Sequence, residues 1–317
     1  MTTGGDTLPQ PKWRSDILLQ HGLLQLNPPA SEGIRVNGQR IDNYQTSTDL
    51  LFSRVFQDLL VPASEENAHN QQPTQEVMLF ARRVLSSMVK HFPSNDDLAE
   101  YYLAFMLSCF PKEASKVAKS ILKQKPSSPR LYNACATIAA KLGQTERAAQ
   151  IWSGAINMKD SFSHAAQEEL VLLWRGWIWC DLEADQPRTA LSHLASFGSN
   201  VVVENSGSNL ISSATSLRLR NAFRDGFEQA LGQSQSKLAA LNAEMLALVA
   251  YLTEPDALQA SVESVHEQCN AAQQRLSNDH ALIEMLHQVK AGIIAYHIRQ
   301  RRPYRPCLLY TSDAADE

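Results

Sequence analysis

The sequence predicts an all-α protein, and more specifically an α-solenoid of antiparallel helix pairs. Three observations lead to this fold class: a helical hairpin pattern that occurs twice, apolar residues spaced three and four positions apart, and few runs of alternating β-branched residues. Residues with this spacing lie on one side of a helix, so each predicted helix has one apolar face. A single hairpin cannot cover its own apolar face, and neighbouring hairpins therefore have to stack.

The repeated hairpin lies between residues 98 and 158, and a shift of 34 residues relates its two copies. A period of about 34 residues is typical of tetratricopeptide-type helix pairs. Small alanines near the start of each second helix let its neighbour come close, and larger residues fill the space beyond them. The predicted repeat-packing residues are Ala114, Ala118 and Ile121 in the first copy and Ala148, Ile151 and Trp152 in the second.

Composition divides the rest of the chain into segments. Residues 1–46 are predicted to be a flexible, loop-rich lead-in. Helical repeats are predicted for residues 47–197 and again for residues 215–306, where apolar residues recur at helical spacing. The intervening residues 198–214 are rich in Gly, Ser and Asn and are predicted to form a loop.

Capping and helix-breaking residues indicate where the individual helices begin and end. A first helix follows the capping segment 47–49 and stops before Pro62, and a second begins near Thr74. The two repeated hairpins come next, followed by a third pair whose second helix starts at Pro187. Beyond the loop, further helices are predicted to begin near Thr215, Lys237, Pro255 and Ser277.

The third pair contains three tryptophans within six residues: Trp174, Trp177 and Trp179. Such a group could form a platform for a ligand or for stacked bases. Filling of the core is the favoured interpretation, because the spacing is helical and large aromatic side chains dominate helix-packing interfaces.

The formal net charge of −4 indicates that the chain as a whole is no polyanion-binding protein. Its five cysteines are scattered, with no CxxC motif, which suits a reducing compartment. The N-terminal residues show no signal peptide, and the most apolar stretch, residues 238–252, is too short to cross a bilayer. We therefore predict no membrane partner.

Motifs for catalysis or cofactor binding are missing from the sequence. We find no GxxxxGK[ST], GxGxxG, HExxH or GxSxG, and no Cys/His cluster at zinc-ligand spacing. The acidic pairs Asp96–Asp97 and Glu168–Glu169 are interpreted as solvated surface, because adjacent residues on a helix point in different directions. The sequence thus predicts a protein that is not an enzyme and that needs no cofactor or metal.

Two basic features remain. Five lysines follow one side of a helix and are interpreted as a solvated face: Lys112, Lys116, Lys119, Lys123 and Lys125. A second group surrounds an aromatic residue and is the candidate contact with a partner or with RNA: Arg299, Arg301, Arg302, Tyr304 and Arg305. Arginine and aromatic side chains together can hold phosphates and stack on bases. A structural role, in docking against a following repeat, is the favoured interpretation, since basic residues at a helix C-terminus also interact well with its dipole.

The run HALIEMLHQVKAGIIAYHIRQRRPYRP at residues 280–306 resembles a signature of the "necessary for RNA interference" family, the nuclear-RNAi-defective proteins. In that family, an E-x-LHQ element leads into a basic segment. The matching element in this sequence is Glu284 to Gln288, and residues 302–306 are similar to the basic segment. The upstream segments RLYNA at residues 130–134 and IWS at residues 151–153 are similar to that family's half-a-tetratricopeptide (HAT) repeats. The likeness is greatest to fungal members.

This resemblance implies a nuclear, non-enzymatic HAT-repeat scaffold in RNA silencing and RNA surveillance. It also implies an exosome-associated RNA helicase as a partner of the longer family members, through an N-terminal part that has no counterpart here. Two alternatives stay open: a HAT or tetratricopeptide scaffold that binds spliceosomal proteins in pre-mRNA processing, and a helical module that binds RNA directly.

The last residues, CLLYTSDAADE at 307–317, do not continue the helical pattern. Their reverse translation can be read as the mosaic end of a transposase sequencing adapter. We interpret them as a sequencing-adapter scar and exclude them from the fold prediction. The natural chain is therefore expected to continue beyond Pro306, which would make this sequence a fragment.

Overall fold

The structure is a computed structural model, and it describes residues 35–36, 39–40, 52, 75–197, 211–254, 256–275 and 280–300. Its strands are β1 (Arg35–Val36) and β2 (Gln39–Arg40). Its α-helices are α1 (Gln75–His91), α2 (Asp96–Cys109), α3 (Pro111–Gln124), α4 (Pro129–Lys141), α5 (Thr145–Asn157), α6 (His164–Glu168), α7 (Val171–Glu183), α8 (Pro187–Ser196), α9 (Ser213–Gly232), α10 (Ser236–Thr253), α11 (Ala257–Arg275) and α12 (His280–Arg299). Apart from the short β-hairpin, the elements in the described ranges are helical, which confirms the all-α prediction.

The chain separates into two compact units, residues 1–87 and residues 88–317. In the first unit β1 and β2 pair antiparallel, with Arg35 opposite Arg40. The predicted lead-in is described only at this hairpin, and α1 begins within one residue of its predicted start. The helix predicted to end before Pro62 lies outside the described residues, except for the buried Phe52.

Side-chain caps explain where helices of the second unit begin. At α2 the Asn95 carbonyl oxygen Oδ1 accepts a hydrogen bond from the Leu98 backbone N–H at 2.9 Å. At α4 the Ser128 hydroxyl accepts one from the Leu131 N–H at 3.3 Å, and Pro129 occupies the first turn, where a backbone N–H has no helical partner. Each cap satisfies one of the donors that a helix N-terminus leaves unpaired.

Three helix pairs have the same turn geometry between their two helices: α4 with α5, α7 with α8, and α9 with α10. Each turn contains one residue with a positive φ: Gly143 at 76°, Asp185 at 56° and Ser234 at 56°. In each turn the next residue's N–H donates a 2.9 Å hydrogen bond to a carbonyl of the preceding helix: Gln144 to Ala139, Gln186 to Asp181 and Gln235 to Ala230. This is the left-handed helix ending that glycine adopts most easily. The shared geometry indicates repeated helix pairs, although only the turn at Gly143 has the residue type that adopts this conformation most easily.

The helices of the second unit pack on their neighbours in a regular order as far as α8. α2 packs on α3 and α4, α4 packs on α5 and α7, and α7 packs on α8. The order changes after residue 211, because α7 then packs against α10, and α10 packs against α12. α10 is apolar on nearly all sides and contacts α7, α8, α9, α11 and α12. A helix of this composition is buried by neighbours on every side, which explains its central position.

Aromatic rings connect α5, α7, α8 and α9 within the core. The ring of Trp152 lies 6.4 Å from Trp177, which lies 6.2 Å from Trp174. Trp174 lies 6.1 Å from Phe197, and Phe197 lies 4.4 Å from Phe223. Trp174 and Trp177 are buried, so the interpretation of these two tryptophans as core residues is confirmed.

Close helix approach depends on two pairs of glycine and asparagine. A Cβ atom added at Gly176 of α7 would overlap the Oδ1 atom of Asn133 on α4. A Cβ atom added at Gly226 of α9 would lie 2.5 Å from Oδ1 of Asn242 on α10. The asparagine of the first pair also accepts a 3.0 Å hydrogen bond from the buried indole N–H of Trp152. Here α4, α5 and α7 meet in a contact that has no room for a side chain at Gly176.

Candidate interaction surfaces

The structure describes only one of the predicted partner or RNA contacts. Arg299 is exposed at the C-terminus of α12, where a cation interacts favourably with the helix dipole. Arg301, Arg302, Tyr304 and Arg305 lie outside the described residues. The contact role of this segment therefore stays a prediction.

The end of α12 that leads into this basic segment is anchored in the core. Tyr296 and His297 are buried, and the His297 ring nitrogen Nδ1 lies 3.1 Å from the Tyr251 hydroxyl. The Tyr296 ring packs edge-on against Trp179 and against Tyr251, each at a centroid distance of 5.7 Å. These contacts fix the point at which the chain leaves α12. Upstream in the same helix, the LHQ residue His287 is exposed.

The predicted repeat-packing residues lie on α3 and α5. Five of the six are buried: Ala114, Ala118, Ile121, Ala148 and Trp152. Ile151 is only half-buried and packs at the margin of the core. The apolar face of α5 is therefore wider than the surface that its neighbours cover.

The predicted lysine face of α3 is formed by four of the five lysines. Lys112, Lys116, Lys119 and Lys123 are exposed. Lys125 lies just beyond the helix and departs from this interpretation, since its Nζ atom is 2.5 Å from the Asp96 carboxylate.

A charged network joins the N-terminal ends of α2, α4 and α10. Arg130 of α4 contacts the carboxylates of both Asp97, at 2.6 Å, and Glu100, and the Nζ atom of Lys237 on α10 lies 3.1 Å from Asp97. Asp96 accepts a further hydrogen bond from the Ser128 hydroxyl at 2.5 Å. Asp97 is exposed, as the interpretation of Asp96–Asp97 as solvated surface predicts, whereas Asp96 is half-buried. That interpretation did not include the ion pairs that Asp96 forms with Lys125 and Asp97 forms with Arg130.

Within this network, burial raises the pKa of the carboxyl groups and the neighbouring cations lower it. Burial raises the pKa of Glu100 to about 7, although the Arg130 guanidinium opposes the shift. For Asp97, partial burial is outweighed by Arg130 and Lys237, and its pKa is lowered. Glu100 is 1% exposed, and its Oε1 atom has no hydrogen-bond partner, which explains why its charged form is disfavoured.

We expect Glu100 to make stability depend on pH. Its pKa in the folded chain, about 7, exceeds the value of 4.5 for an unperturbed glutamate, so the folded state binds the proton more tightly. The contribution to stability is complete below the unfolded pKa and is lost as the pH rises through about 7. Thermal melts from about pH 5 to about pH 8 should therefore show the wild type losing stability relative to Glu100→Gln.

The control for this titration is Glu183→Gln, because Glu183 lies in the exposed pair with Lys141 at 2.8 Å. This variant should keep the wild-type pH profile. Parallel profiles for wild type and Glu100→Gln would contradict the assignment to Glu100.

A groove of about 440 Å³ lies beside the network, between the loops that precede α2, α4 and α7. Its lining is mainly serine, proline and charged side chains, including Asp96 and Lys125, which neutralise one another. Glu169, also in the lining, is half-buried, and burial raises its pKa. Two of its charged groups, Asp96 and Lys125, are thus occupied by a contact within the chain.

A buried ion pair between α7 and α10 was not predicted from the sequence. Arg175 Nε lies 2.5 Å from Glu244 Oε2, and Arg175 Nη2 lies 2.9 Å from Glu244 Oε1. The Trp179 indole N–H donates a third hydrogen bond, of 2.6 Å, to Glu244. Both charged residues are buried. The available signal was a charged residue flanked by apolar residues in each helix, Arg175 within LLWRGWIW and Glu244 within LAALNAEMLALVAYL, since such residues are buried only when paired.

Burial raises the pKa of several other groups in or beside the core. Burial raises the pKa of all four described cysteines, to about 12 for Cys135 and about 11 for Cys180, so they stay thiols at neutral pH. Asp181 accepts a 2.6 Å contact from His193 Nδ1, and burial raises its pKa. Within the described ranges, no group of three or more His, Cys, Asp and Glu residues could hold a metal ion.

No helix among the described residues combines the length and apolar character needed to cross a membrane. Comparison with known proteins finds no matching family model, no matching curated protein and no matching solved structure. The resemblance to the nuclear-RNAi-defective proteins therefore stays a prediction from the sequence.

Proposed function

We propose that this chain is a HAT-like α-solenoid that serves as a non-enzymatic scaffold in nuclear RNA silencing and RNA surveillance. The observation that carries the proposal is the packing order of α2, α4 and α7. Each of these helices contacts its own pair partner, and each of α2 and α4 also contacts the first helix of the next pair. Repeats that contact mainly their neighbours are the structural basis of solenoids.

A stacked array of this kind suits a protein that binds extended partners. Its helices are held by buried contacts, including the ring series from Trp152 to Phe223, so the binding surface is ordered before a partner arrives. Preorganised surfaces lose less conformational entropy on binding. The assignment to RNA silencing is supported by the sequence resemblance at residues 280–306, and so is the nuclear localisation.

Proximity labelling in nuclei tests the proposal, with the labelling enzyme fused to the natural protein that contains this sequence. We expect enrichment of RNA-silencing proteins and of an exosome-associated RNA helicase over the labelling enzyme alone. The same fusion carrying Glu244→Ala, which breaks the buried pair with Arg175, should lose the partners that bind the repeats. Enrichment of spliceosomal proteins alone would contradict the proposed pathway, and a cytoplasmic fusion would contradict the nuclear localisation.

A further inference from the structure

A second groove, formed by α3, α4 and α5, is lined differently. It has a volume of about 320 Å³ and is formed by Lys119 and Leu122 of α3, Cys135 of α4, and Arg147, Gln150 and Ile151 of α5. Cys135 is buried, whereas Leu122 and Ile151 are half-buried. Because burial keeps Cys135 a thiol, the groove has an apolar floor with cationic and amide groups around it.

The charged side chains around this groove are mainly cationic. Lys112, Lys116, Lys119 and Lys123 are exposed along α3 and form no ion pair with the described residues. Arg147 on the opposite side donates a 2.9 Å hydrogen bond to the neutral amide of Gln144. The only acids on α3 and α5 are Glu113 and Glu146. A strongly cationic surface therefore lies on a chain whose net charge is −4.

We propose that this groove binds an acidic linear segment of a partner protein, with an aliphatic side chain of that segment in contact with Leu122 and Ile151. Unpaired lysines attract carboxylates and steer their approach, and the partly exposed aliphatic floor gains by being covered. A segment of this kind combines both chemistries. The inference rests on the proposed scaffold function, because the groove would be one docking surface of the scaffold. The inference requires neither RNA silencing nor a nuclear location.

The lining favours a peptide over a nucleic acid strand. Single-stranded RNA is held by cations together with aromatic side chains on which the bases stack. None of the six lining residues is aromatic, and the floor is aliphatic. Electrostatic attraction to phosphate would use the lysines but would leave Leu122 and Ile151 without a matching group.

Fluorescence anisotropy with the full chain tests this proposal. The probe is a labelled peptide of about ten residues, composed of aspartate and glutamate with two central leucines. The same peptide with serine in place of both leucines, and a labelled RNA of similar length, are the comparison ligands. We expect the leucine peptide to bind at least about tenfold more tightly than the serine peptide, and its affinity to fall as salt is raised.

The matched variants are Lys119→Glu and Lys90→Glu, which change the net charge equally. Lys119 lines the groove, whereas Lys90 is exposed on α1 and does not line it. Lys119→Glu should weaken binding of the leucine peptide about tenfold, and Lys90→Glu should leave it within about twofold. Circular dichroism spectra of the two variants should match the wild type, since both side chains are exposed.

Three results would overturn the inference. Equal affinity for the leucine and serine peptides would show non-specific attraction to charge, and tighter binding of the RNA would assign the surface to nucleic acid. Equal loss of binding in Lys119→Glu and Lys90→Glu would show that the groove is not the binding site. None of these results bears on the labelling pattern in nuclei, so failure of this inference and failure of the proposed function can be told apart.

Discussion

Replacing Glu244 with alanine is expected to lower the free energy of unfolding by about 3–5 kcal/mol. The substitution leaves the Arg175 guanidinium buried between α7 and α10 without its carboxylate partner, and it also removes the acceptor of the Trp179 indole N–H. Removal of one partner from a buried ion pair costs far more than the pair itself contributes, because the remaining charge stays desolvated. Urea unfolding followed by circular dichroism would measure the loss.

The ion pair between Arg220 and Glu254 is the natural control, since both of its side chains are about one-third exposed. Glu254→Ala should cost no more than about 1 kcal/mol, because solvent screens exposed pairs and hydrates the partner that remains. The double variant Arg175→Met with Glu244→Leu should recover most of the stability lost in Glu244→Ala, because apolar side chains of similar volume leave no buried charge. Equal losses for Glu244→Ala and Glu254→Ala would contradict the burial of the first pair.

Local sequence pattern predicted the helices well because their determinants are close in sequence. Helix α4 begins at a capping serine and a first-turn proline, and both are recognisable by residue type. The apolar faces of α3 and α5 follow from spacing alone, and most of the residues chosen from that spacing are buried. The exception, Ile151, shows the limit: spacing locates an apolar face but does not determine how much of it the neighbours cover.

Contacts between distant parts of the chain could not be predicted in the same way. Arg175 and Glu244 are 69 residues apart, and no local rule connects them. The turns at Asp185 and Ser234 have the same geometry as the turn at Gly143, but aspartate indicates a left-handed conformation only weakly and serine does not indicate it. The central position of α10 was in principle readable, because its apolar residues surround the helix.

The same difference between local patterns and distant contacts applies to the candidate surfaces. The lysines of α3 were recognisable from their spacing, but the groove next to Lys119 exists only because α5 lies alongside and leaves Ile151 partly exposed. Residue spacing predicts where the lysines lie on α3, but it does not predict the groove beside them. That surface is a property of two stacked repeats, and it becomes visible only when the repeats are packed.

Gly176→Ala is expected to lower the free energy of unfolding by about 2 kcal/mol, although alanine favours helices. The added methyl group would overlap Asn133 Oδ1 and would lie 3.3 Å from the Trp152 indole nitrogen. To make room, α7 must move away from α4, or the Asn133 side chain must rotate and leave the buried Trp152 N–H without its acceptor. Chemical denaturation of purified variants would measure the change.

Gly154→Ala is the matched control, because Gly154 also lies inside a helix and a Cβ atom there meets no other atom within 4 Å. With no steric conflict, this substitution should stabilise the chain by up to about 1 kcal/mol through helix propensity. Asn133→Ala removes the obstructing oxygen, so Gly176→Ala should cost much less in that background than in the wild type. If Gly176→Ala stabilised the chain as much as Gly154→Ala, the close contact of α4, α5 and α7 would be wrong. The stacking of the second and third helix pairs would then need a different register, since this contact leaves no freedom for α7 to slide along α4.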